Sequence, residues 1–220
     1  MKIYKIGIIG CGGIAQKMAA TLEKMKGVER YAVASRNQEK AEAFANKWGF
    51  TKAYGSYEEL ASDPEVDLIY IATPHAMHYD NAHMCIEKGK PVLCEKAFTA
   101  NARQAEDLLA FAKEKGVFIT EAIWTRYMPL SLKIQELLKE GVIGTPYTLS
   151  ANLSYPISNK ERIIRPELAG GALLDIGVYT LNFAAMAFGS DIAETHSVCQ
   201  KTQTGVDAQE SITLFYKDGR

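Results

Sequence analysis

The sequence has little of what marks secreted, membrane-embedded or nucleic-acid-binding proteins. Its four cysteines, Cys11, Cys85, Cys94 and Cys199, lie far apart and form no CxxC pair, which favours free thiols in a reducing compartment. The formal net charge is only -1, so nothing suggests nucleic acid or an anionic membrane surface as a partner. No apolar run approaches the roughly 20 residues of a membrane span. These absences predict a protein with no nucleic-acid and no membrane partner.

We expect no targeting segment or signal peptide, because MKIYKIGIIG enters an apolar strand at once. Internal repeats and low-complexity segments are absent too. Hydrophobic residues make up 47% and charged residues 23% of the 220 residues. This composition is ordinary for a globular protein with one large domain or two small ones. We expect a cytoplasmic location.

What the sequence does contain is a glycine-rich turn near its start. Residues 5–36 run from an apolar strand through Gly10, Gly12 and Gly13 into an amphipathic helix and a second apolar strand. This is a βαβ unit with a dinucleotide fingerprint, in which small Ala15 lets helix and strand pack closely. The pyrophosphate would sit on free N–H groups at the helix start, unless the glycines form a purely structural turn. Four residues are expected to contact the dinucleotide: Gly10, Gly12, Gly13 and Ile14.

The residues that follow the second strand indicate which dinucleotide binds. An acidic residue there would accept hydrogen bonds from the ribose hydroxyls of NAD. The sequence has Ser35 and Arg36 instead, and nothing acidic before Glu39. A guanidinium can pair with a 2′-phosphate, so NADP is favoured and NAD is less favoured. The alternative is that Arg36 is a solvated charge at the start of the next helix.

Strands and helices alternate through the first half of the chain. Strands are expected over 6–9, 31–34, 67–72, 91–94 and 117–121, and helices over 38–48, 78–88 and 101–115, with a capping box at 56–59. This alternation predicts an α/β fold, a Rossmann domain with a doubly wound parallel sheet over residues 1–121.

The second half, residues 122–220, has a different texture. A helix is expected over 126–140, a strand over 145–153, a polar loop over 154–171 and a buried helix over 173–188. Strands over 192–201 and 210–216 complete an α+β domain with an antiparallel or mixed open sheet. The hairpin signal at Lys217-Asp218-Gly219 has no strand after it, so the second domain is expected to be incomplete.

Several polar residues fall at the carboxyl ends of the expected parallel strands, where open sheets bind ligands. Thr73-Pro74, Glu95-Lys96 and Trp124 occupy these places. Lys96 could donate a hydrogen bond to a substrate oxygen and lower the pKa of a nearby acid. The alternative is an exposed lysine at a strand end.

A second group of candidates lies in GGALLDIGVY, where Asp175 and Tyr179 are four residues apart. On a helix they would share one face, and both need polar partners there. A phenol with an unperturbed pKa of about 10 needs a cation beside it for acid–base work near neutrality. The alternative is a core tyrosine, with Asp175 as a helix cap.

Histidines raise the question of a metal site. His75, His78 and His83, with Cys85 nearby, match no zinc spacing, so no metal is expected. His78 more plausibly reaches toward the ribose or nicotinamide of the cofactor.

With these motifs in hand, the chain resembles the glucose-fructose oxidoreductase / inositol dehydrogenase (Gfo/Idh/MocA) family over essentially its whole length. The resemblance is carried by GIIGCGGIA, ATPHAMHYDNA, GKPVLCEKA and GGALLDIGVYTLNFA. EAIWTRYMP and GALLDIGVY are most similar to the NADP-dependent dihydrodiol and D-xylose dehydrogenase branch. The resemblance implies a Rossmann domain and a C-terminal domain whose large open sheet forms homo-oligomers.

The resemblance also implies roles for individual residues. Lys96 and Tyr179 would be the catalytic pair, Asp175 the orienting carboxylate, and Trp124 and Arg126 would line the substrate pocket. Two features depart from the family: Ala97 replaces the proline of the EKP motif, and family members are usually longer.

We therefore expect an enzyme that transfers a hydride between NADP and a carbinol carbon of a sugar or cyclic diol. Two alternatives remain. One is a non-catalytic NADP-binding sensor or an inactive fragment on the same fold, and the other is an enzyme acting on a different carbonyl, such as a bilin-like substrate.

Overall fold

The computed structural model describes residues 2–157 and 159–220. The chain divides into two compact units, Met1–Ala122 and Ile123–Arg220. This division lies one residue after the boundary expected from the sequence. That each unit folds by itself as a domain stays a prediction.

A parallel sheet forms the centre of the first unit. Its strands are β1 Tyr4–Ile9, β2 Val28–Ala34, β3 Lys52–Tyr54, β4 Leu68–Ile71, β5 Val92–Cys94 and β6 Ile119–Glu121. They pair in the order β3-β2-β1-β4-β5-β6, and all neighbours are parallel. The order runs outward from β1 in both directions, as in a doubly wound Rossmann sheet, and the predicted fold class is confirmed. The sequence pattern did not predict β3, because three residues are too few to show periodicity.

Helices connect these strands. They are α1 Gly13–Leu22, α2 Gln38–Trp48, α3 Tyr57–Ser62, α4 His78–Glu87 and α5 Ala102–Lys115. Asn37, Ser56 and Asn101 cap α2, α3 and α5, since each side chain accepts a hydrogen bond from the backbone N–H three residues later. Gly49 and Gly116 end α2 and α5 in the left-handed conformation. Local sequence therefore determines where these helices begin and end.

The core of the first unit lies on both faces of the sheet. Ile9, Ile69 and Ile71 pack with Leu60, Ile86 and Leu108 on one face. Ile6, Ile8, Val33 and Tyr70 pack with Phe44 and Leu22 on the other. Burial on both faces explains why β4 is an almost uninterrupted apolar run.

The second unit contains helices and an antiparallel pair of strands. Its elements are α6 Pro129–Lys139, α7 Glu161–Ile164, a π-helical turn Leu173–Gly177, α8 Val178–Phe188, β7 Ile192–Lys201 and β8 Asp207–Tyr216. β7 and β8 pair antiparallel along their length. After β8 the chain turns at Gly219, which has φ +90° and donates its N–H to the carbonyl of Tyr216. The expected turn is therefore present.

Two expectations for the second unit are wrong. Residues 145–153 form no strand, because no described strand lies beside them to accept their backbone hydrogen bonds. The helix expected over 173–188 is half-buried rather than buried, and it opens with the π-helical turn. The expected polar loop 154–171 contains the short helix α7, and its residue 158 lies outside the described residues.

One segment, Pro166–Phe188, is long and apolar enough to qualify as a membrane span by length and composition alone. This differs from the expectation that no apolar run approaches such a length. The segment is not one continuous helix, because Ala169 at φ 52° and Gly171 at φ +119° interrupt it. It also buries the carboxylate of Asp175, so it is weak support for a membrane span.

Candidate active site

The glycine turn between β1 and α1 is shaped by the neighbouring strand. Gly10 has φ +100°, a conformation that side-chain-bearing residues rarely adopt. A Cβ at this position would lie 2.7 Å from the carbonyl oxygen of Ala72, at the end of β4. Gly10 is therefore required by the packing of the first unit itself.

Gly12 and Gly13 serve a different purpose, because nothing lies within 4 Å of a Cβ built on either residue. Gly12 is the N-cap of α1, no side chain caps the helix, and its first turn carries no acidic residue. Ile14 is 39% exposed in the same turn. The free N–H groups at the start of α1 therefore face open space, and they form the positive end of the helix dipole. This cradle fits a pyrophosphate.

Ser35 and Arg36 directly follow β2, which ends at Ala34. Ser35 is buried, and its Oγ accepts a hydrogen bond from the N–H of Asn37 at 3.4 Å. Arg36 is exposed and interacts with Tyr57. Burial raises the pKa of Tyr57, and Arg36 opposes this by favouring the phenolate.

Lys40 adds a second cation in this region. Burial raises the pKa of the Cys11 thiol, while the charge of Lys40 and a hydrogen bond with Ser35 lower it. The end of β2 is therefore a basic surface with no acidic residue before Glu39, which fits an additional phosphate. Lys40 is not among the residues predicted from the sequence, although its position in the first turn of α2 places a cation close to Arg36 in sequence.

The loop after β4 contains Thr73 and Pro74, and it is tied to the loop after β5 by His78. His78 is fully buried, with Nδ1 2.7 Å from the carbonyl oxygen of Ala97 and Nε2 2.9 Å from that of Thr73. Burial lowers the pKa of His78, and the two hydrogen bonds oppose that effect. Both ring nitrogens face backbone carbonyls, and a contact of His78 with the cofactor stays a prediction. His78 holds two loops together.

The loop after β5 holds Lys96 through buried polar contacts. Glu95 accepts hydrogen bonds from the Tyr70 hydroxyl and, at 3.2 Å, from the backbone N–H of Lys96. Burial raises the pKa of Glu95, and the bonds from Tyr70 and Lys96 oppose that rise. Lys96 itself is half-buried, and its peptide bond to Ala97 is cis.

Glu121, at the end of β6, anchors the same loop from the other side. Its Oε1 accepts a hydrogen bond from the N–H of Phe98 at 2.9 Å. Glu95, with its partner Tyr70, and Glu121 therefore hold the loop that carries Lys96 in place through buried or half-buried hydrogen bonds. Neither Tyr70, inside the apolar run of β4, nor Glu121, which opens the EAIWTRYMP motif, is predicted as a support for Lys96 from the sequence.

In the second unit, the candidate residues include Tyr179 and Trp124, whose side chains are in contact. The indole N–H of Trp124 donates a hydrogen bond to the Tyr179 hydroxyl at 3.1 Å, and the two rings meet edge to face at 6.1 Å. Trp124 is 54% exposed, while Tyr179 is half-buried. Tyr179 also borders a pocket of about 210 Å³ with a mostly apolar lining of Thr125, Met128, Leu130, Ser131, Ile134, Phe183 and Met186. Trp124 and Tyr179 thus lie together in the second unit, and their roles in a site stay predictions.

Asp175 lies one turn before Tyr179, inside the π-helical turn. Its side chain is 4% exposed and forms a two-pronged ion pair with Arg162, at 2.6 Å and 3.4 Å. Asp175 is therefore an interior carboxylate held by a cation, and the alternative of a helix cap is wrong. Arg162 lies in the segment expected to be a polar loop, and no sequence motif predicts its pairing with Asp175.

Arg126 lies in the turn Trp124–Tyr127, which also contains Trp124. Its Nε is buried and has no hydrogen-bond partner among residues 2–157 and 159–220. A buried donor without a partner costs about 1–3 kcal/mol, so a ligand oxygen or water there would be favoured. Within the same ranges, no group of three or more His, Cys, Asp or Glu residues could hold a metal ion.

Two family profiles match this chain. Residues 4–122 match the oxidoreductase family with an NAD-binding Rossmann fold, and residues 131–220 match the GFO/IDH/MocA C-terminal domain. The two matches follow one another along the chain and correspond to the two units.

Individual proteins are similar as well. The chain is 40% identical to a mouse (Mus musculus) trans-1,2-dihydrobenzene-1,2-diol dehydrogenase over 216 residues, covering 97% of this chain and 65% of that protein. It is 44% identical to a D-xylose 1-dehydrogenase (NADP(+)) from Hypocrea jecorina over 201 residues, covering 81% of this chain and 51% of that protein.

Among solved structures, KijD10, a 3-ketoreductase from Actinomadura kijaniata crystallised with NADP, superposes with a TM-score of 0.88. It is 30% identical, and the match covers 98% of this chain and 67% of that one. The chain spans just under two thirds of the length of the dihydrodiol dehydrogenases it matches. On the strength of both profiles and these relatives, the chain belongs to the GFO/IDH/MocA family of oxidoreductases.

Proposed function

We propose that this protein is an NADP-dependent dehydrogenase that transfers a hydride between the nicotinamide and a carbinol carbon of a sugar or cyclic diol. The observation that carries the proposal is the Tyr179 hydroxyl, which receives a hydrogen bond from Trp124 and borders an open pocket. Relatives named as dihydrodiol and D-xylose dehydrogenases support the substrate class.

The residues that would hold NADP are those of the glycine cradle and of the end of β2. The backbone N–H groups at Gly12, Gly13 and Ile14 would bind the pyrophosphate. Ser35 and Arg36 would bind the additional phosphate on the adenosine ribose. When bound, NADP accepts or supplies the hydride, while the protein positions the cofactor and substrate and polarises the reacting groups. Thr73, Pro74 and Glu95 would border the nicotinamide end, from the carboxyl ends of β4 and β5.

Proton transfer is assigned to Tyr179. The phenol would take or give the proton of the substrate hydroxyl, and Lys96 would stabilise the phenolate and bind the substrate oxygen. The Trp124 N–H favours the phenolate further, because hydrogen bonds to charged acceptors are stronger than those to neutral ones. Asp175, held by Arg162, would orient this group of side chains.

Substrate binding is assigned to Trp124 and Arg126. The exposed indole offers a flat apolar face to a ring, and the free Nε of Arg126 offers a donor to a hydroxyl oxygen. Both features suit sugars and cyclic diols, which combine a ring with several hydroxyl groups.

A direct test is to follow reduction of NADP by the chain with a panel of aldoses and trans-diols, using Tyr179→Phe in parallel. We expect turnover with at least one compound and its loss in Tyr179→Phe. Nucleotide binding without any turnover would contradict the proposed activity and favour a non-catalytic NADP-binding protein.

We also propose self-association through the β7–β8 sheet. All ten residues of β7 are exposed, and they include apolar Ile192 and Val198, the latter 73% exposed. Apolar exposed strands are disposed to pair with another copy. Light scattering should show a homo-oligomer, and Val198→Lys should shift it toward monomer. A monomeric wild type would contradict this proposal.

We also propose a cytoplasmic location, because all four cysteines are free and a reducing compartment keeps thiols free. Fractionation of cells that express the protein would test this.

A further inference from the structure

The Gly170-Gly171 pair, which precedes the helix of Asp175 and Tyr179, is the point where three segments of the second unit meet. Gly170 donates its N–H to the carbonyl of Arg165, and Gly171 donates to that of Ile163, at 3.1 and 2.8 Å. A Cβ on Gly170 would overlap the carbonyl oxygen of Ile163. The helix therefore starts with its backbone directly against the segment that contains α7.

On its other side, the same start lies against Asp207, the first residue of β8. A Cβ on Gly171 would overlap the Asp207 carboxylate, and Gly171 has φ +119°. Asp207 Oδ2 accepts a hydrogen bond from the N–H of Leu173 at 2.5 Å. This N–H belongs to the first turn, which has no intrahelical acceptors, and a carboxylate is favoured there by the helix dipole. A residue 34 positions later in the chain thus caps the helix.

Glu210 contacts the next turn of the same helix. Its Oε1 lies 2.9 Å from the position that a Cβ on Gly177 would occupy. Its Oε2 is buried and has no hydrogen-bond partner within the described ranges. Burial raises the pKa of Glu210 to about 7, and the nearby charge of Asp207 adds to that rise. The two carboxyls therefore interact with each other as well as with the helix.

A β-bulge explains how two residues three apart on a strand can face one helix. Gln200 pairs with Gln209 and Lys201 pairs with Asp207, so Ala208 is an extra residue in β8. Side chains alternate between faces in a regular strand, and one inserted residue brings Asp207 to the face of Glu210.

We infer that Asp207 and Glu210 are positioning residues, which fix the start of the helix that carries Asp175 and Tyr179. The Asp207 carboxylate caps the first turn, the Glu210 carboxyl abuts the second, and the glycines at 171 and 177 leave room for both. The inference rests on the proposed function only where it links this helix to turnover.

The chain offers a probe that needs no turnover. It has two tryptophans, of which Trp124 donates to the Tyr179 hydroxyl and Trp48 donates to Gln16 in the first unit. Incorporation of fluorotryptophan gives two fluorine NMR resonances, which Trp48→Phe assigns. Trp124 then reports the position of Tyr179, and Trp48 serves as an internal control.

Asp207→Ala removes the cap, so we expect the Trp124 resonance to shift or broaden while that of Trp48 stays unchanged. Asp207→Asn keeps an oxygen that can accept from Leu173 and should remain close to wild type. Gln209→Ala, an exposed change on the same strand, should move neither resonance. An unchanged Trp124 resonance in Asp207→Ala would overturn the inference.

If Asp207→Ala fails to fold, a milder change tests the same contact. Alanine favours helix over glycine by about 1 kcal/mol, but a Cβ at position 177 would lie 2.9 Å from Glu210 Oε1 and 3.0 Å from Leu173 Cδ1. Removing the Glu210 side chain in the same variant therefore isolates its part of the contact. We expect Gly177→Ala to shift the Trp124 resonance and Gly177→Ala with Glu210→Ala to restore it. A silent Gly177→Ala would contradict the inference.

Kinetics separates this inference from the proposed function. Where the wild type turns over, Asp207→Ala should lower kcat by about 10-fold and leave the KM for NADP unchanged, whereas Asp207→Asn should recover most of the rate. Absence of turnover in the wild type would contradict the proposed function, while the fluorine resonances would still decide the positioning role.

Discussion

The indole N–H of Trp124 points at the hydroxyl oxygen of Tyr179 across 3.1 Å, with the two rings edge to face. The contact spans 55 residues of sequence and joins the short turn before α6 to the first turn of α8. It fixes the phenol in one orientation and uses one acceptor site of its oxygen. A fixed phenol beside an open pocket is the feature from which the catalytic proposal follows.

The first prediction concerns Tyr179 and Lys96 as a unit. Tyr179→Phe and Lys96→Met should each lower kcat by about 100-fold or more, because each removes a part of one proton-transfer step. The double variant should cost little beyond the worse single one. Tyr127→Phe, which alters an exposed tyrosine in the turn of Trp124, is the matched control and should be neutral. Near-wild-type turnover in Tyr179→Phe would exclude the assignment.

The second prediction separates two glycines of the same turn. Gly10→Ala places a Cβ 2.7 Å from the Ala72 carbonyl in a strained conformation, so it should lower the melting temperature of the apo protein. Gly12→Ala meets no protein atom within 4 Å and should melt like wild type. Gly12→Ala should nevertheless weaken NADP binding, because its methyl group would occupy space where the pyrophosphate approaches the backbone.

Thermal melts and calorimetry on both variants check this prediction. Wild-type NADP affinity in a well-folded Gly12→Ala would show that the turn is structural only.

The third prediction concerns cofactor choice. Hydrogen bonds to a charged group contribute roughly 1.5–3 kcal/mol, so Arg36 should favour NADP over NAD by about 10- to 150-fold. Arg36→Asp removes the attraction, repels the extra phosphate and can accept from the ribose hydroxyls of NAD. Calorimetry with both nucleotides at fixed salt should therefore show reversed preference in Arg36→Asp. Equal affinity of the wild type for NAD and NADP would make Arg36 a solvated charge.

The fourth prediction concerns the stability of the first unit. Burial alone would raise the pKa of Asp63, but hydrogen bonds from Tyr54, Lys52 and the Glu65 backbone outweigh it and lower the pKa to about 2. A carboxylate with a lowered folded-state pKa stabilises the fold above its ordinary pKa of 3.8. That stabilisation is lost as the pH falls toward about 2.

Asp63→Asn should therefore lower the free energy of unfolding near neutrality by about 2 kcal/mol and flatten its dependence on pH between about 4 and 2. Denaturant melts over this pH range provide the measurement, with Glu106→Gln on the exposed face of α5 as the control. If the free energy of unfolding of Asp63→Asn falls with acid as steeply as that of the wild type, the Asp63 contacts do not stabilise the fold.

Much of the fold follows from local sequence. The glycine turn at Gly10, the caps at Asn37, Ser56 and Asn101, and the apolar run of β4 each act within a few residues. The strand expected over 145–153 is not formed, because a strand needs a neighbouring strand to accept its backbone hydrogen bonds. A pattern of apolar residues in the segment itself does not show whether such a neighbour exists. β3 was missed for the opposite reason, since its neighbour β2 determines it and its own three residues carry little pattern.

The site was predictable in its motifs but not in its supporting contacts. Lys96, Asp175 and Tyr179 stand in recognisable segments, and Trp124 follows a strand end. The partner of Asp175 is Arg162, and the partner of Glu95 is Tyr70, and neither pair shares a motif. His78 lies in a motif, yet burial and two backbone carbonyls decide its role. Such pairings depend on the tertiary fold, and the spacing of apolar residues along the sequence does not show which distant residues meet.

The most direct test of the central claim is transfer of a labelled hydrogen. The chain is incubated with NADP and sugars or trans-diols that carry deuterium on the carbinol carbon, and the nucleotide is then analysed by mass spectrometry. Hydride transfer to the nicotinamide predicts deuterium in the reduced nucleotide with wild type and a strong loss of the signal with Tyr179→Phe. A wild type that binds NADP but yields no deuterated nucleotide with any member of the panel would contradict the account.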